Sequence, residues 1–259
     1  MQKEYNTPTT PIRRLYNALP KWCQQLARSI ISVRNIVPYT ESYKRRWWLD
    51  QVYSEFGRNQ RKNIFLSIAR FHHINRPIDG YYFEFGCNGA HTMRMAWDTF
   101  HYLFDYTYVG FDSFEGLPEI SEIDRQEIWE KGKLAFEERK FIDVVTAHGV
   151  PSSRLLTVRG FYDESLTQDL RERMLPVKAA VVYIDCDLYT STVPVLNWIT
   201  PFLQRGSIIV FDDWNCFHGD PNRGERLAWK EYRERNPKLR FEPFITTNEA
   251  QSFVFLGQE

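Results

Sequence analysis

The sequence predicts an α/β fold: a doubly wound, mostly parallel seven-stranded sheet with an N-terminal helical extension. Three observations carry that expectation. After Pro77 the chain runs through short apolar stretches, Tyr81 to Phe85, Tyr106 to Phe111, Leu155 to Val158, Ala179 to Ile184 and Ser207 to Phe211, with segments of helical composition between them. Continuous apolar runs of about 4 to 8 residues suit strands buried on both faces, and their alternation with helices implies right-handed crossovers in a parallel sheet. The last run, Ser252 to Leu256, follows an extended stretch from Arg240 to Ile245, so the two are expected to close the sheet as a terminal hairpin with antiparallel pairing.

The front of the chain has another character. Residues 1–12 are polar and interrupted by Pro8 and Pro11, which predicts a disordered arm. From about Pro20 to Val33, Trp22, Leu26, Ile30 and Val33 recur at helical spacing. Residues 41–70 continue that register with Trp47, Trp48, Val52, Phe56, Ile64, Phe65 and Ile68 among Lys44, Arg45, Arg46, Arg58, Arg61 and Lys62. Segment 13–76 is therefore read as a basic helical segment or lid, and 77–259 as the α/β domain. Its simplest role is packing on the body through its aromatics; a lid over an anionic substrate and peripheral contact with an anionic membrane surface are the alternatives.

With 33 Lys+Arg against 33 Asp+Glu, the 259-residue chain has no broad positive footprint, so nucleic acid is not the expected partner. The balance hides a split: residues 1–70 hold 13 basic and 4 acidic residues, leaving 20 basic and 29 acidic in the rest. No stretch has the apolar run of a signal peptide or membrane span, which predicts a soluble, cytoplasmic protein. Cys23, Cys87, Cys186 and Cys216 form no CxxC pair, so neither a zinc site nor a disulfide framework is indicated. The aromatic-rich front offers a surface through which two copies could form a homodimer.

In an open α/β sheet the ligand sits beyond the carboxyl ends of the strands. Here those ends read Glu84-Phe85-Gly86-Cys87-Asn88-Gly89, Asp112-Ser113, Asp185-Cys186-Asp187 and Asp212-Asp213. The first resembles a nucleotide-binding turn, but a dinucleotide fingerprint would need glycine where Glu84 stands. A carboxylate there repels a pyrophosphate and suits a cationic ligand. Asp112 fits a ribose-hydroxyl acceptor, a role shared by NAD and other adenosine ligands. Asp185, Asp187, Asp212 and Asp213 lie at the ends of two strands expected to be adjacent. At ~4 Å each like-charge pair costs about 1 to 4 kcal/mol, which a divalent cation would relieve. All-oxygen ligands select a hard ion, Mg²⁺ first, then Mn²⁺ or Ca²⁺.

The stretch Asp185-Cys-Asp187-Leu-Tyr-Thr-Ser-Thr192, followed by Gly206-Ser-Ile-Ile-Val-Phe-Asp212-Asp213-Trp214, resembles the macrocin O-methyltransferase family. Phe83-Glu84-Phe-Gly86-x-x-Gly89, Phe111-Asp112-Ser113-Phe114-Glu115-Gly116-Leu117-Pro118 and Gly160-Phe161 support the likeness, which runs from about residue 81 to 256. The resemblance implies a Rossmann-like class I methyltransferase fold and transfer of a methyl group from S-adenosyl-L-methionine to a sugar hydroxyl of a small-molecule or saccharide substrate, with Mg²⁺ or Mn²⁺. It implies Asp185, Asp212 and Asp213 as metal ligands and Asp187 as general base. Glu84, Gly86, Gly89, Asp112, Ser113, Gly160 and Phe161 would line the cofactor. Three departures stand out: Trp214 in place of Tyr, Arg205-Gly206 in place of a double glycine, and a distinctive segment 215–224.

Tyr189, Trp214 and His218 are candidate acceptor contacts, since aromatic faces pack on sugar rings and His can hydrogen-bond hydroxyls or serve as a competing base. Three rival readings stand beside the sugar methyltransferase. Asp185-x-Asp187 also suits a DxD metal-dependent glycosyltransferase, although no basic cluster accompanies it. A catechol-type O-methyltransferase shares the cofactor and metal logic. A non-catalytic cofactor-binding protein that docks through its basic front is the third.

Overall fold

The computed structural model describes residues 15, 18–24 and 41–259. The predicted arm 1–12 and most of the predicted helix over residues 20–33 lie outside them; residues 21–24 are helical. Contacts divide the chain into two units, Met1–Arg58 and Asn59–Glu259. In the first, helix α1 (Glu41–Trp48) leads through a π-helical turn (Leu49–Tyr53) into α2 (Ser54–Ile74), which crosses the division. Lys44 pairs with Glu41 and Arg58 with Glu55 one turn apart. Trp47, Trp48, Val52, Tyr53 and Phe56 are exposed.

In the second unit α2 behaves differently. Ile64, Phe65, Ile68 and Ala69 recur at i, i+1, i+4 and i+5 and are buried, so this half of the helix is part of the core. The division thus falls inside the predicted segment 13–76. Strands follow as β1 (Tyr81–Phe85), β2 (Thr107–Asp112), β3 (Leu155–Arg159), β4 (Ala179–Ile184), β5 (Leu203–Phe211), β6 (Leu239–Thr246) and β7 (Gln251–Gln258). Helices α3 (His91–Phe100), α4 (Glu138–His148), α5 (Tyr162–Ser165), α6 (Gln168–Met174), α7 (Tyr189–Ile199) and α8 (Gly224–Arg235) lie between them.

The seven strands form one sheet in the order β3-β2-β1-β4-β5-β7-β6. Strands β1 to β5 pair in parallel, whereas β7 is antiparallel to both β5 and β6, so the sheet is mixed. The hairpin is inverted relative to its chain order, with the later strand inside. Residues Gln251 to Phe255 of β7 are all buried, while β6 carries Arg240, Glu242 and Pro243. Proline and charge are tolerated at an edge and disfavoured within a sheet, which sends β6 outward.

Strand alternation sorts the core into two layers. Tyr82, Tyr108, Tyr183, Ile208 and Val210 face one side, against Phe65 of α2, Phe100 of α3 and Phe141 of α4. Phe83, Phe85, Phe111, Val182, Ile184, Ile209 and Phe211 face the other, against Trp198 of α7 and Trp229 and Tyr232 of α8. Each fully buried aromatic or aliphatic side chain contributes about 1.5 to 3 kcal/mol. The strand order reverses between the parallel neighbours β1 and β4, where a crevice opens beyond the strand ends. None of the described helices is long and apolar enough to cross a membrane, and all four cysteines are free.

Candidate active site and metal centre

A cavity of about 650 Å³ lies over the carboxyl ends of β1 to β5. Two sets of residues line it. The first comes from the turns after β1, β2 and β3: Gly86, Asn88, Asp112, Ser113, Gly160 and Phe161. Gly86 has φ 91°, and a Cβ there would lie 1.9 Å from the carbonyl oxygen of Asp185, so only glycine lets the β1 and β4 turns meet. Asp112 is held from both sides. Its Oδ2 accepts from the Cys87 N–H at 2.6 Å and its Oδ1 from the Phe114 N–H at 2.7 Å. Burial raises its pKa and these two bonds oppose the rise.

The second set comes from β4 and β5: Asp185, Asp187, Asp212 and Asp213. The strands are neighbours with Ile184 opposite Phe211, which brings Asp185 beside Asp212. One carboxylate oxygen from each of Asp185, Asp212 and Asp213 lies within 4.8 Å of the others. Burial, then the neighbouring carboxylates, pushes Asp185 and Asp213 well above the usual carboxylate range. Asp213 Oδ2 is buried without a hydrogen-bond partner. A close all-oxygen set with an orphaned buried acceptor fits a hard divalent cation. Asp187 is 9% exposed with φ 61°, a left-handed conformation uncommon for aspartate. Burial, then the charge of Asp185, raises its carboxyl to about 8.

Nine of the sequence-predicted residues therefore converge on the cavity; Glu84, Gly89, Tyr189, Trp214 and His218 do not line it. Glu84 follows the alternation of β1 onto the same face as Tyr82. Its carboxylate accepts from the Tyr82 O–H at 2.6 Å and from the Met93 backbone, and burial raises it to about 8. It thus lies under the floor rather than in the wall. Gly89 supplies a left-handed turn (φ 67°) before α3. The Tyr189 hydroxyl turns away to donate to Glu231 at 2.8 Å. Trp214 packs on Phe211 and Phe253 beneath Arg226, and His218 forms a left-handed turn.

The structure adds four residues that the sequence reading passed over. Arg61 of α2 reaches Asp212, and Tyr183 of β4 donates to the same carboxylate. Glu225, 1% exposed in the first turn of α8, accepts the Asp213 backbone N–H at 3.1 Å, and its Oε1 has no partner. Asp124 caps α7 from a distant loop. It accepts the N–H groups of Tyr189 at 2.7 Å and Thr190 at 3.2 Å and the Thr190 hydroxyl at 2.6 Å, where Leu188 offers no side-chain cap. Loop 113–137 is thereby pinned next to Asp187. Short-range patterns give no signal for the contacts of Arg61 and Asp124, which span 151 and 65 residues.

Residues 40–243 match the macrocin-O-methyltransferase (TylF) family. The chain belongs to that family. Solved structures similar to this chain include the O-methyltransferase NovP, 21% identical over 76% of this chain and 80% of that one, with a TM-score of 0.62. The calicheamicin methyltransferase CalS11 is 21% identical over 96% of this chain and 94% of its own, also with a TM-score of 0.62. An apo structure of CalS11, described as a TDP-rhamnose 3'-O-methyltransferase, is 20% identical over 91% and 95%, with a TM-score of 0.53. At these identities the likeness shows a shared fold. No curated protein sequence matches the chain. Membership of an O-methyltransferase family overturns the glycosyltransferase alternative raised by Asp185-x-Asp187.

Proposed function

We propose that this O-methyltransferase transfers a methyl group from S-adenosylmethionine to a sugar hydroxyl of a glycoside, an antibiotic or a surface polysaccharide precursor, with Mg²⁺ or Mn²⁺ at the acid cluster. The observation that carries it is the convergence of Asp187 and three further carboxylates on one rim of a cavity whose adjoining rim holds Gly86 and Asp112. S-adenosylmethionine, when bound, supplies a methyl group on a positively charged sulfur. A divalent ion supplies Lewis acidity that favours loss of the acceptor proton.

The chain's own residues do the remaining work. Gly86 admits the ligand against the backbone, and Asp112 accepts hydrogen bonds from ribose hydroxyls, held in aim by Cys87 and Phe114. Asp185, Asp212 and Asp213 are the residues that would hold the ion. Asp187 takes the proton of the acceptor hydroxyl as that oxygen bonds to the methyl carbon and the carbon–sulfur bond breaks. A carboxylate raised to about 8 is a stronger proton acceptor than one in water, and such a base contributes roughly 10² to 10⁴ in rate. Asp124 keeps the Asp187 turn and loop 113–137 in register, so the acceptor meets a preformed wall.

The reading is supported by the TDP-rhamnose substrate named for CalS11, with which this chain shares its fold. The test incubates the protein with S-adenosylmethionine and a panel of TDP-rhamnose, simple glycosides and catechol, with Mg²⁺ or with EDTA, and weighs the products. Gain of one methyl on a sugar, lost in EDTA, is the expected result. Methylation of catechol alone would replace the sugar with an aromatic diol, and metal-independent transfer would remove the ion.

A further inference from the structure

Of the three candidate metal ligands, Asp212 is the one that, among the described residues, is ion-paired with a cation of the protein's own. Arg61 Nε lies 3.0 Å from its Oδ1 and 3.1 Å from its Oδ2, and Nη2 lies 2.5 Å from Oδ2. The Tyr183 hydroxyl donates to Oδ1 as well. Both oxygens of Asp212 are therefore engaged, while Asp213 Oδ2 and Glu225 Oε1 beside it have no partner. The helix that carries Arg61 is fixed, because Ile64 and Phe65 one turn on and Ile68 two turns on are fully buried. Any movement must come from the side chain, which is 35% exposed and lines the cavity.

A second carboxylate waits within reach. Arg61 Nη2 is 3.9 Å from Glu249 Oε2, on the β6–β7 loop, whose side chain is 46% exposed. That loop is tied to the segment after Asp213 by the Asn215 N–H, which donates to the Glu249 carbonyl at 3.3 Å. A guanidinium and a divalent ion cannot share the same carboxylate oxygens without strong repulsion, since both are cations at contact distance. We propose that Arg61 is a two-position counter-cation of the metal site: it holds Asp212 until a divalent ion takes that carboxylate, and then turns to Glu249 at the rim. Metal affinity is on this account set by a contest between the ion and Arg61. Occupancy of the site moves a charged, five-donor group along the cavity wall. The proposal rests on the reading of Asp185, Asp212 and Asp213 as metal ligands.

The test is a titration of the full-length protein with Mn²⁺, followed by the paramagnetic resonance signal of the free ion. Arg61→Gln should bind Mn²⁺ about tenfold more tightly than the wild type, the scale on which groups behind metal ligands move affinity. Glu249→Gln should bind about threefold more weakly, because the displaced guanidinium loses an exposed ion pair. In the double variant the Glu249 effect should vanish. Arg61→Lys, which keeps the charge and loses the fork, should fall between wild type and Arg61→Gln and serves if Arg61→Gln fails to fold. Unchanged or weaker binding by Arg61→Gln would overturn the contest and make Arg61 an aid to Asp212. A Glu249 effect that persists in the double variant would overturn the second position. Absence of Mn²⁺ binding in the wild type and in Arg61→Gln alike would overturn the metal reading itself, a result distinct from equal binding by both.

Discussion

The two rims of the cavity are built from the same strand-end geometry and differ in how their charges are satisfied. On the glycine rim Asp112 accepts two backbone N–H groups, and Glu84 beneath it accepts from Tyr82 and Met93. On the acid rim, Asp213 and Glu225 each leave a buried oxygen without a partner. The first rim is complete as folded. The second carries negative charge that, among the described residues, meets a direct ion pair at Asp212, through Arg61. On the proposed function, the cofactor side is prebuilt and the acceptor side is finished by an added cation.

The comparison can be broken most sharply at Asp187. Asp187→Asn should lower kcat about 10³-fold while leaving the affinity for S-adenosylmethionine within about twofold, measured by steady-state kinetics and calorimetry. A large loss of cofactor affinity would mean that the rims are not separable. Next in size, Gly86→Ala places a Cβ 1.9 Å from the Asp185 carbonyl oxygen and should cost about 3 kcal/mol in urea unfolding, because it pries both rims apart.

Glu84 tests the floor of the glycine rim through pH. Its folded-state carboxyl stands at about 8, above the ordinary glutamate value of 4.5, so its contribution to stability is complete below about 4.5 and is lost as pH rises through 8. Between pH 6 and 8 the loss should be about 2 kcal/mol, and Glu84→Gln should flatten that slope. The smallest pair of effects has opposite signs. In metal-free protein Asp213→Asn should raise stability by about 1 to 2 kcal/mol, since it removes a buried carboxylate with an orphaned oxygen. Asp112→Asn should lower it by about 1 to 2 kcal/mol, since one amide N–H would face the N–H of Cys87 or Phe114. Thermal melts in EDTA check both, and equal signs would erase the distinction between the rims.

The strands were legible because a strand buried on both faces must be apolar throughout, and the ranges Tyr81–Phe85 and Ala179–Ile184 coincide with the runs that predicted them. The hairpin order was less legible, because it depends on which of two strands tolerates the edge. The acid cluster was visible as soon as β4 and β5 were taken as neighbours. Glu84 shows where strand-end reasoning stops: its position is at the end of β1, but the alternation of the strand sends its side chain below α3. Arg61, Asp124 and Glu225 reach the site from elements that carry no local pattern for it. Arg61 is one of many cations in a basic helix, and Asp124 caps a helix that begins 65 residues later.

The most direct test of a prebuilt cofactor rim beside a cation-dependent acceptor rim is calorimetric titration of S-adenosylmethionine into the purified protein, once in Mg²⁺ and once in EDTA. The account predicts binding in both, with dissociation constants that agree within about twofold, because an ion at the acid rim adds little to sites that backbone N–H groups already hold in place. Binding that appears only with Mg²⁺, or none in either buffer, would contradict it.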